Sequence, residues 1–305
     1  MNKFHSVYLE EDKCEGCTNC VKNCPTRAIR VHKGQAWIKD EKCIDCGECI
    51  RSCEHHAKKA ATDDLEEIQT KDHSVALIAP SFYGQFKQNL NPRKVMAGLK
   101  KLGFEEVRDV ARGAEAVTKK TEEYIKQSSE PVISSACPTV VRLVEILYPE
   151  LIDYLLPFKS PVEMVAQKAR EEAYERGIKE EELGIYFITP CPAKMTTVKN
   201  PIGLEESFLD GAIAVDKIYR PLLKQVKKIT GSQVEDYTLP HLGVGWANRG
   251  GESRLLTADT ISVSGIQNVI SILEELDRGD LSHISYFELL ACEPGCVGGV
   301  LNVKN

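Results

Sequence analysis

The sequence has no stretch approaching the roughly 20 consecutive apolar residues that a membrane-spanning helix needs, so no membrane span is expected. Nor does it have a basic face. The formal net charge is -6 and Lys119-Lys120 and Lys227-Lys228 are isolated pairs, which argues against nucleic acid as a partner. The opening residues Met1 to His5 contain no apolar region of signal-peptide type, and the expected location is the cytoplasm. With 305 residues, 42% hydrophobic and 28% charged, the chain has room for two domains and a substantial core.

Twelve cysteines would suggest disulfides in a small secreted chain, but their distribution argues otherwise. Eight fall in two runs of the form C-x2-C-x2-C-x3-C: Cys14, Cys17, Cys20, Cys24, then Cys43, Cys46, Cys49, Cys53. The runs repeat after 29 residues, Cys14 to Cys43. Flanked by the strand-like stretches 6–9 and 35–38, they fit a two-cluster module of bacterial ferredoxin type. There the first three cysteines of one run share a [4Fe-4S] cube with the last of the other. Cluster 1 would take Cys14, Cys17, Cys20 and Cys53; cluster 2 would take Cys43, Cys46, Cys49 and Cys24. Pro25 follows Cys24 as that pattern prefers, whereas Glu54 follows Cys53, a departure expected to alter the local backbone. Two zinc ions are the alternative for eight cysteines, although this doubled spacing is not the usual paired zinc arrangement. The remaining four, Cys137, Cys191, Cys292 and Cys296, are the number one further cube needs.

Residues 57–73 are polar and read as a connector, so the expected division is 1–60, a connector over 61–73, and 74–305. Beyond it strands and helices alternate. Strands are expected at 75–79, 106–110, 131–135, 185–189, 212–215 and 284–290. Helices are expected at 94–102, 114–126, 139–148, 161–176 and 265–276. Ser160, Pro161 and Glu163 form a capping-box pattern, and Asp216 is a candidate cap for another helix with Pro221 in its early turns. The expected fold is therefore an α/β catalytic-type domain with largely parallel sheets, plus a small α+β ferredoxin-like domain. Ligands of such sheets gather beyond the carboxyl ends of strands, and three strand ends here deliver cysteine: Cys137, Cys191 and Cys292. Taken singly, Cys137 and Cys191 would read as buried structural thiols. Next to proline after apolar strands, on a chain with an electron-transfer module, they read as ligands.

The loops Ser134 to Val140, Thr189 to Thr197 and Glu288 to Gly299 resemble the three signature motifs of the [FeFe]-hydrogenase large subunit, whose usual forms are TSCCPxW, MPCxxKxxE and ExMACxxGCxxGG. The likeness takes in Ala79-Pro80-Ser81 and Ser160-Pro161 with Met164. It implies an H-cluster: a cube joined through one thiolate to a two-iron unit bearing CO, cyanide and azadithiolate, installed by maturation proteins. By motif position Cys137, Cys191, Cys292 and Cys296 resemble the cube ligands, with Cys296 bridging. Lys194 resembles the donor to one cyanide, and Pro80 with Ser81 the contacts to the other. Gly298-Gly299 would let the backbone pass close to the metal unit. The bland alternatives are a surface lysine for Lys194 and a simple turn for the glycines.

The departures are informative. Ala136 stands where the family has a cysteine that passes protons, so fast turnover by that route should be lost. Val140 replaces a tryptophan, Thr189 and Leu290 replace methionines, and Thr197 replaces a glutamate. Of the acidic relay only Glu115, Glu122 and Glu123 fall in the right region. These substitutions resemble the divergent, sensory branch of the family. The resemblance therefore implies slow reaction with H2 and protons, a redox partner protein, and a downstream signalling domain or partner beyond a C-terminus that reads as truncated. The alternative is a non-enzymatic iron-sulfur protein of the hydrogenase-related class, acting in cluster assembly or electron transfer.

Overall fold

The computed structural model describes residues 4–86, 90–230 and 237–304. The cysteine-dense segment folds as two interleaved copies of one unit: β1 (Val7–Leu9), α1 (Asn19–Lys22), β2 (Ile29–His32), β3 (Gln35–Ile38), α2 (Glu48–Arg51) and β4 (Lys58–Ala60). β1 pairs antiparallel with β4, and β2 with β3. The repeat extends to the backbone. Thr18 and Gly47, each one residue before its short helix, are both left-handed, and Arg27 and His56 both have φ 51°. In both copies the alanine four residues after the last cysteine donates its N–H to that cysteine's sulfur, Ala28 to Cys24 at 3.2 Å and Ala57 to Cys53 at 3.3 Å. The missing proline at Glu54 thus leaves the turn unchanged, because the N–H···S bond and the left-handed residue define it.

The stretch expected as a connector is more structured than that. It begins with β4 and continues through Asp63, which bridges to Ile213, into a 3-10 turn over Leu65–Thr70 that buries Ile68 in the next core.

The rest is built on β5 (His73–Ile78), α3 (Pro92–Lys101), β6 (Glu106–Asp109), α4 (Val110–Ile125), β7 (Val132–Ile133), α5 (Pro138–Leu147), α6 (Pro161–Glu175), β8 (Leu183–Thr189), α7 (Pro192–Lys199), β9 (Gly211–Ala214), α8 (Val215–Val226), α9 (His241–Val244), β10 (Thr260–Ser264), α10 (Ile266–Asp277) and β11 (Tyr286–Leu290). Two wholly parallel sheets result, in the orders β6-β5-β8-β9 and β10-β11-β7. β5 and β8 are apolar on both faces because both faces are covered. Ala76, Ile78 and Ile188 face one core, while Val75, Leu77 and Ile185 face the other. A third core joins Ile133, Phe287 and Leu289 to α5 and α10, and takes Ile44 from the ferredoxin-like module.

Three local expectations are corrected. Ser160 precedes α6, but its side chain makes no cap bond; Glu163 instead accepts from the Ser207 hydroxyl at 2.7 Å and the Phe208 N–H at 2.9 Å. α8 starts at Val215, so Asp216 lies inside its first turn, and Pro221 lies in its interior. β10 was not expected at all, and it is the half-exposed edge of its sheet.

Candidate functional site

Four strand ends from the two sheets meet at one cavity of about 110 Å³. β5 runs into Pro80 and Ser81, β7 into Ala136 and Cys137, β8 into Cys191, and β11 into Cys292, with Cys296 four residues on. Lys194 and Gly299 complete this part of the wall, while Val110, Ala114, Phe187, Trp246 and Leu290 keep the rest apolar. Cys137 and Cys191 are the N-cap residues of α5 and α7, and each is followed by proline at the first helical position. Proline there sacrifices no helical hydrogen bond, and the free N–H groups of a first turn favour a negative sulfur. The N–H groups of Ala193 and Lys194 act on the Cys191 sulfur in this way. Thr189, where the family pattern has methionine, accepts the Cys191 N–H through its hydroxyl at 3.1 Å and so shapes the ligand loop.

The donor set fits a metal cluster. Burial, then the charge of Cys137, pushes the Cys191 thiol up to about 11. The same two causes push Cys296 up to about 12, and Cys292 lies well above the ordinary value for burial and the charges of the other three. Thiols this buried and this close together become thiolates when a metal supplies the compensating charge. None of the twelve cysteines is in a disulfide. The Ser81 hydroxyl is 1% exposed and has no hydrogen-bond partner among the described residues, so the cavity wall offers a buried, unused polar atom.

The glycine pair behaves differently from the expectation. A Cβ on Gly298 would lie 1.9 Å from the Glu293 carbonyl oxygen, and one on Gly299 2.5 Å from that of Pro190. The pair is therefore required by backbone packing against backbone. Only Gly299 lines the cavity.

The acidic candidates Glu115, Glu122 and Glu123 do not line the cavity. Glu115 accepts from the Gly243 N–H, and Glu122 is held to about 2 by the Thr257 hydroxyl, the Thr257 N–H and Lys126. A carboxyl that sequence reasoning missed does line it. Glu252 is 2% exposed, accepts from the Ser134 hydroxyl at 2.8 Å and from the Tyr286 hydroxyl, and is pushed up to about 8 chiefly by burial, with Glu288 adding to the rise. Apart from the cysteines, Glu252 and Lys194 are the titratable groups on the wall among the described residues.

In the N-terminal module Cys14, Cys17, Cys20 and Cys53 surround one small cavity, and Cys24, Cys43, Cys46 and Cys49 a second. These are the two interleaved sets that the doubled spacing proposes. Burial raises Cys20, Cys43, Cys46 and Cys49, the last to about 12.

The family described as iron only hydrogenase large subunit, C-terminal domain, matches residues 72–202, and the 4Fe-4S dicluster domain matches residues 6–54. The periplasmic [Fe] hydrogenase large subunit of Nitratidesulfovibrio vulgaris is 32% identical over 216 residues, covering 63% of this chain and 51% of that protein. The NADP-reducing hydrogenase subunit HndD of Solidesulfovibrio fructosivorans is 24% identical over 352 residues, covering 95% and 56%. The chain thus spans about half the length of these relatives. Among solved structures, a variant of the [FeFe]-hydrogenase HydA1 from Chlamydomonas reinhardtii superposes with a TM-score of 0.62 over 79% of this chain and 84% of that one. At 17% identity, that likeness speaks for the fold. Among the described residues no helix is long and apolar enough to cross a membrane.

Proposed function

The chain is a member of the [FeFe]-hydrogenase family with an N-terminal ferredoxin module, and on that premise we propose that it reacts slowly with H2 in a sensing role, in the cytoplasm, passing electrons through two [4Fe-4S] clusters. The observation that carries this reading is the meeting of Cys137, Cys191, Cys292 and Cys296 at one apolar cavity, together with Lys194 and the unpartnered hydroxyl of Ser81. In this reading the four cysteines would hold an iron-sulfur group, Cys296 would also serve a two-iron unit, Lys194 would donate to an anionic ligand of it, and Pro80 and Ser81 would meet another. The group so held supplies the chemistry H2 ⇌ 2H+ + 2e-.

The chain's own residues handle protons and solvent. Ala136 lines the cavity and carries no titratable group, so proton transfer there lacks its usual acid. Glu252 is the carboxyl that reaches the same cavity. Its two oxygens each accept one hydroxyl, Oε2 from Ser134 and Oε1 from Tyr286, in a setting that keeps the carboxyl protonated near neutrality.

Infrared spectroscopy of protein matured with the two-iron unit tests the reading: CO and cyanide bands that change under H2 are expected. Their absence after full maturation would leave the non-enzymatic alternative, in which iron analysis finds three cubes and nothing more. In the matured protein Ala136→Cys is expected to raise H2 turnover; unchanged turnover would show that the missing thiol is not what limits it.

A further inference from the structure

The two halves of the ferredoxin module repeat faithfully in cysteines, in left-handed backbone positions and in N–H···S bonds. One inward position breaks the repeat chemically. Ile29, 2% exposed, opens β2 and belongs to the module's small apolar core; 29 residues on, its counterpart Lys58 opens β4. Lys58 is buried just as deeply, at 1% exposure, and its ammonium has no hydrogen-bond partner among the described residues. An ammonium placed so is costly unless a compensating charge faces it.

The groups around it identify that charge. Lys58 lines the cavity formed by Cys14, Cys17, Cys20 and Cys53. Its positive charge acts on Cys20 in that set and on Cys49 in the other. Among the described residues no carboxylate forms an ion pair with it. The first half of the module, with isoleucine at this position, has no such cation.

We propose that Lys58 is a built-in counter-ion of the electron-transfer clusters, its ammonium facing the sulfurs of cluster 1 and acting more weakly on those of cluster 2. The proposal rests on the reading of the module as a two-cluster electron carrier. A cube with its four thiolates is a dianion that becomes a trianion on taking one electron from the redox partner or from H2 oxidation. A fixed, desolvated cation stabilises the trianion more than the dianion, so Lys58 raises the reduction potential of the cluster it faces. It also makes the two pseudo-symmetric halves electronically unequal, which gives the wire a direction.

The test is a redox titration followed by electron paramagnetic resonance on the full chain carrying its three cubes and no two-iron unit, so that turnover does not enter. Lys58→Ile restores the residue that the repeat carries at its other copy. The expected result is a shift of roughly tenfold in the reduction equilibrium of cluster 1 toward the oxidised form, a midpoint about 59 mV more negative for a one-electron couple, with a smaller shift in the same direction for cluster 2. Lys58→Arg is expected to stay near the wild type. Unchanged midpoints in a fully loaded Lys58→Ile protein overturn the proposal. Should the neutral variant lose cluster 1 while Lys58→Arg keeps it, the counter-ion role is supported; loss in both would assign Lys58 to packing and overturn it. A wild-type module that takes up no [4Fe-4S] cluster would overturn the functional reading itself, and is distinguished by the missing signals.

Discussion

Glu252 is 2% exposed with two hydroxyls donating to it, and yet burial wins: its carboxyl is pushed from the usual 4.5 to about 8. The hydroxyls of Ser134 and Tyr286 favour the charged form, so the rise would be larger without them. A folded value above the unfolded one means that the native state holds a proton which the unfolded chain has released. Stability from this group is therefore intact below about pH 4.5 and falls as the pH rises through the window to about 8, at about 1.4 kcal/mol per pH unit at most. Glu252→Gln, which keeps the shape and cannot ionise, should gain on the wild type across that window. Melting temperatures measured at pH 5 and pH 8 check this, and two curves that run parallel would show that the carboxyl titrates normally. The meeting of the four cavity cysteines with Lys194 was legible in the sequence because they lie in short, fixed spacings. Glu252 was not, since its partners lie 118 and 34 residues away and nothing around Gly250-Gly251-Glu252 is periodic.

At the scale of elements, the legible part was the alternation of strands and helices and the delivery of cysteine at strand ends, because strands buried on both faces read as unbroken apolar runs. β10 was missed for the opposite reason: as an edge strand with Thr260, Ser262 and Ser264 it has no apolar run to show. α6 shows a local pattern overruled by tertiary contact. Its sequence has the capping box, but Glu163 turns away to hold Ser207 and Phe208. Substitution separates the two roles. Ser160→Ala should change stability by no more than about 0.5 kcal/mol, well short of the ~1 kcal/mol typical of a working cap. Glu163→Ala leaves the part-buried N–H of Phe208 and the Ser207 hydroxyl without their acceptor and should cost about 1–3 kcal/mol. Chemical denaturation of the two variants decides, and a larger loss at Ser160 would restore the capping box.

At the scale of the molecule, the proposed electron relay needs the module held in a fixed position against the cavity, and a buried polar knot holds it there. Asp45 lies between Cys43 and Cys46, buried, and accepts from His5 at 3.0 Å, the Val7 N–H at 3.2 Å and the Thr196 hydroxyl at 2.9 Å. Thr196 sits on α7, the helix whose N-cap is Cys191, and Ser6 reaches the same helix through the Pro192 carbonyl at 2.8 Å. Arg51, from the last turn of α2, donates to the Gly298 carbonyl at 2.7 Å and so ties the module to the loop that carries Cys296. Two of the three cysteine loops of the cavity are thereby held directly by residues of the ferredoxin-like module. The sequence offered no sign of this, because aspartate between two cysteines looks like any solvated loop residue. Removing its carboxylate in Asp45→Ala leaves the buried Val7 N–H and the part-buried His5 ring nitrogen without this acceptor, at about 1–3 kcal/mol each, a loss concentrated at the junction, while the Thr196 hydroxyl keeps Ser6 and the Pro192 carbonyl. In metal-loaded protein with its iron content unchanged, calorimetry should then show the module melting ahead of the α/β domain in a separate transition. One unchanged transition would mean that Ile44 and the apolar contacts of α5 and α10, rather than the knot at Asp45, hold the two parts in register.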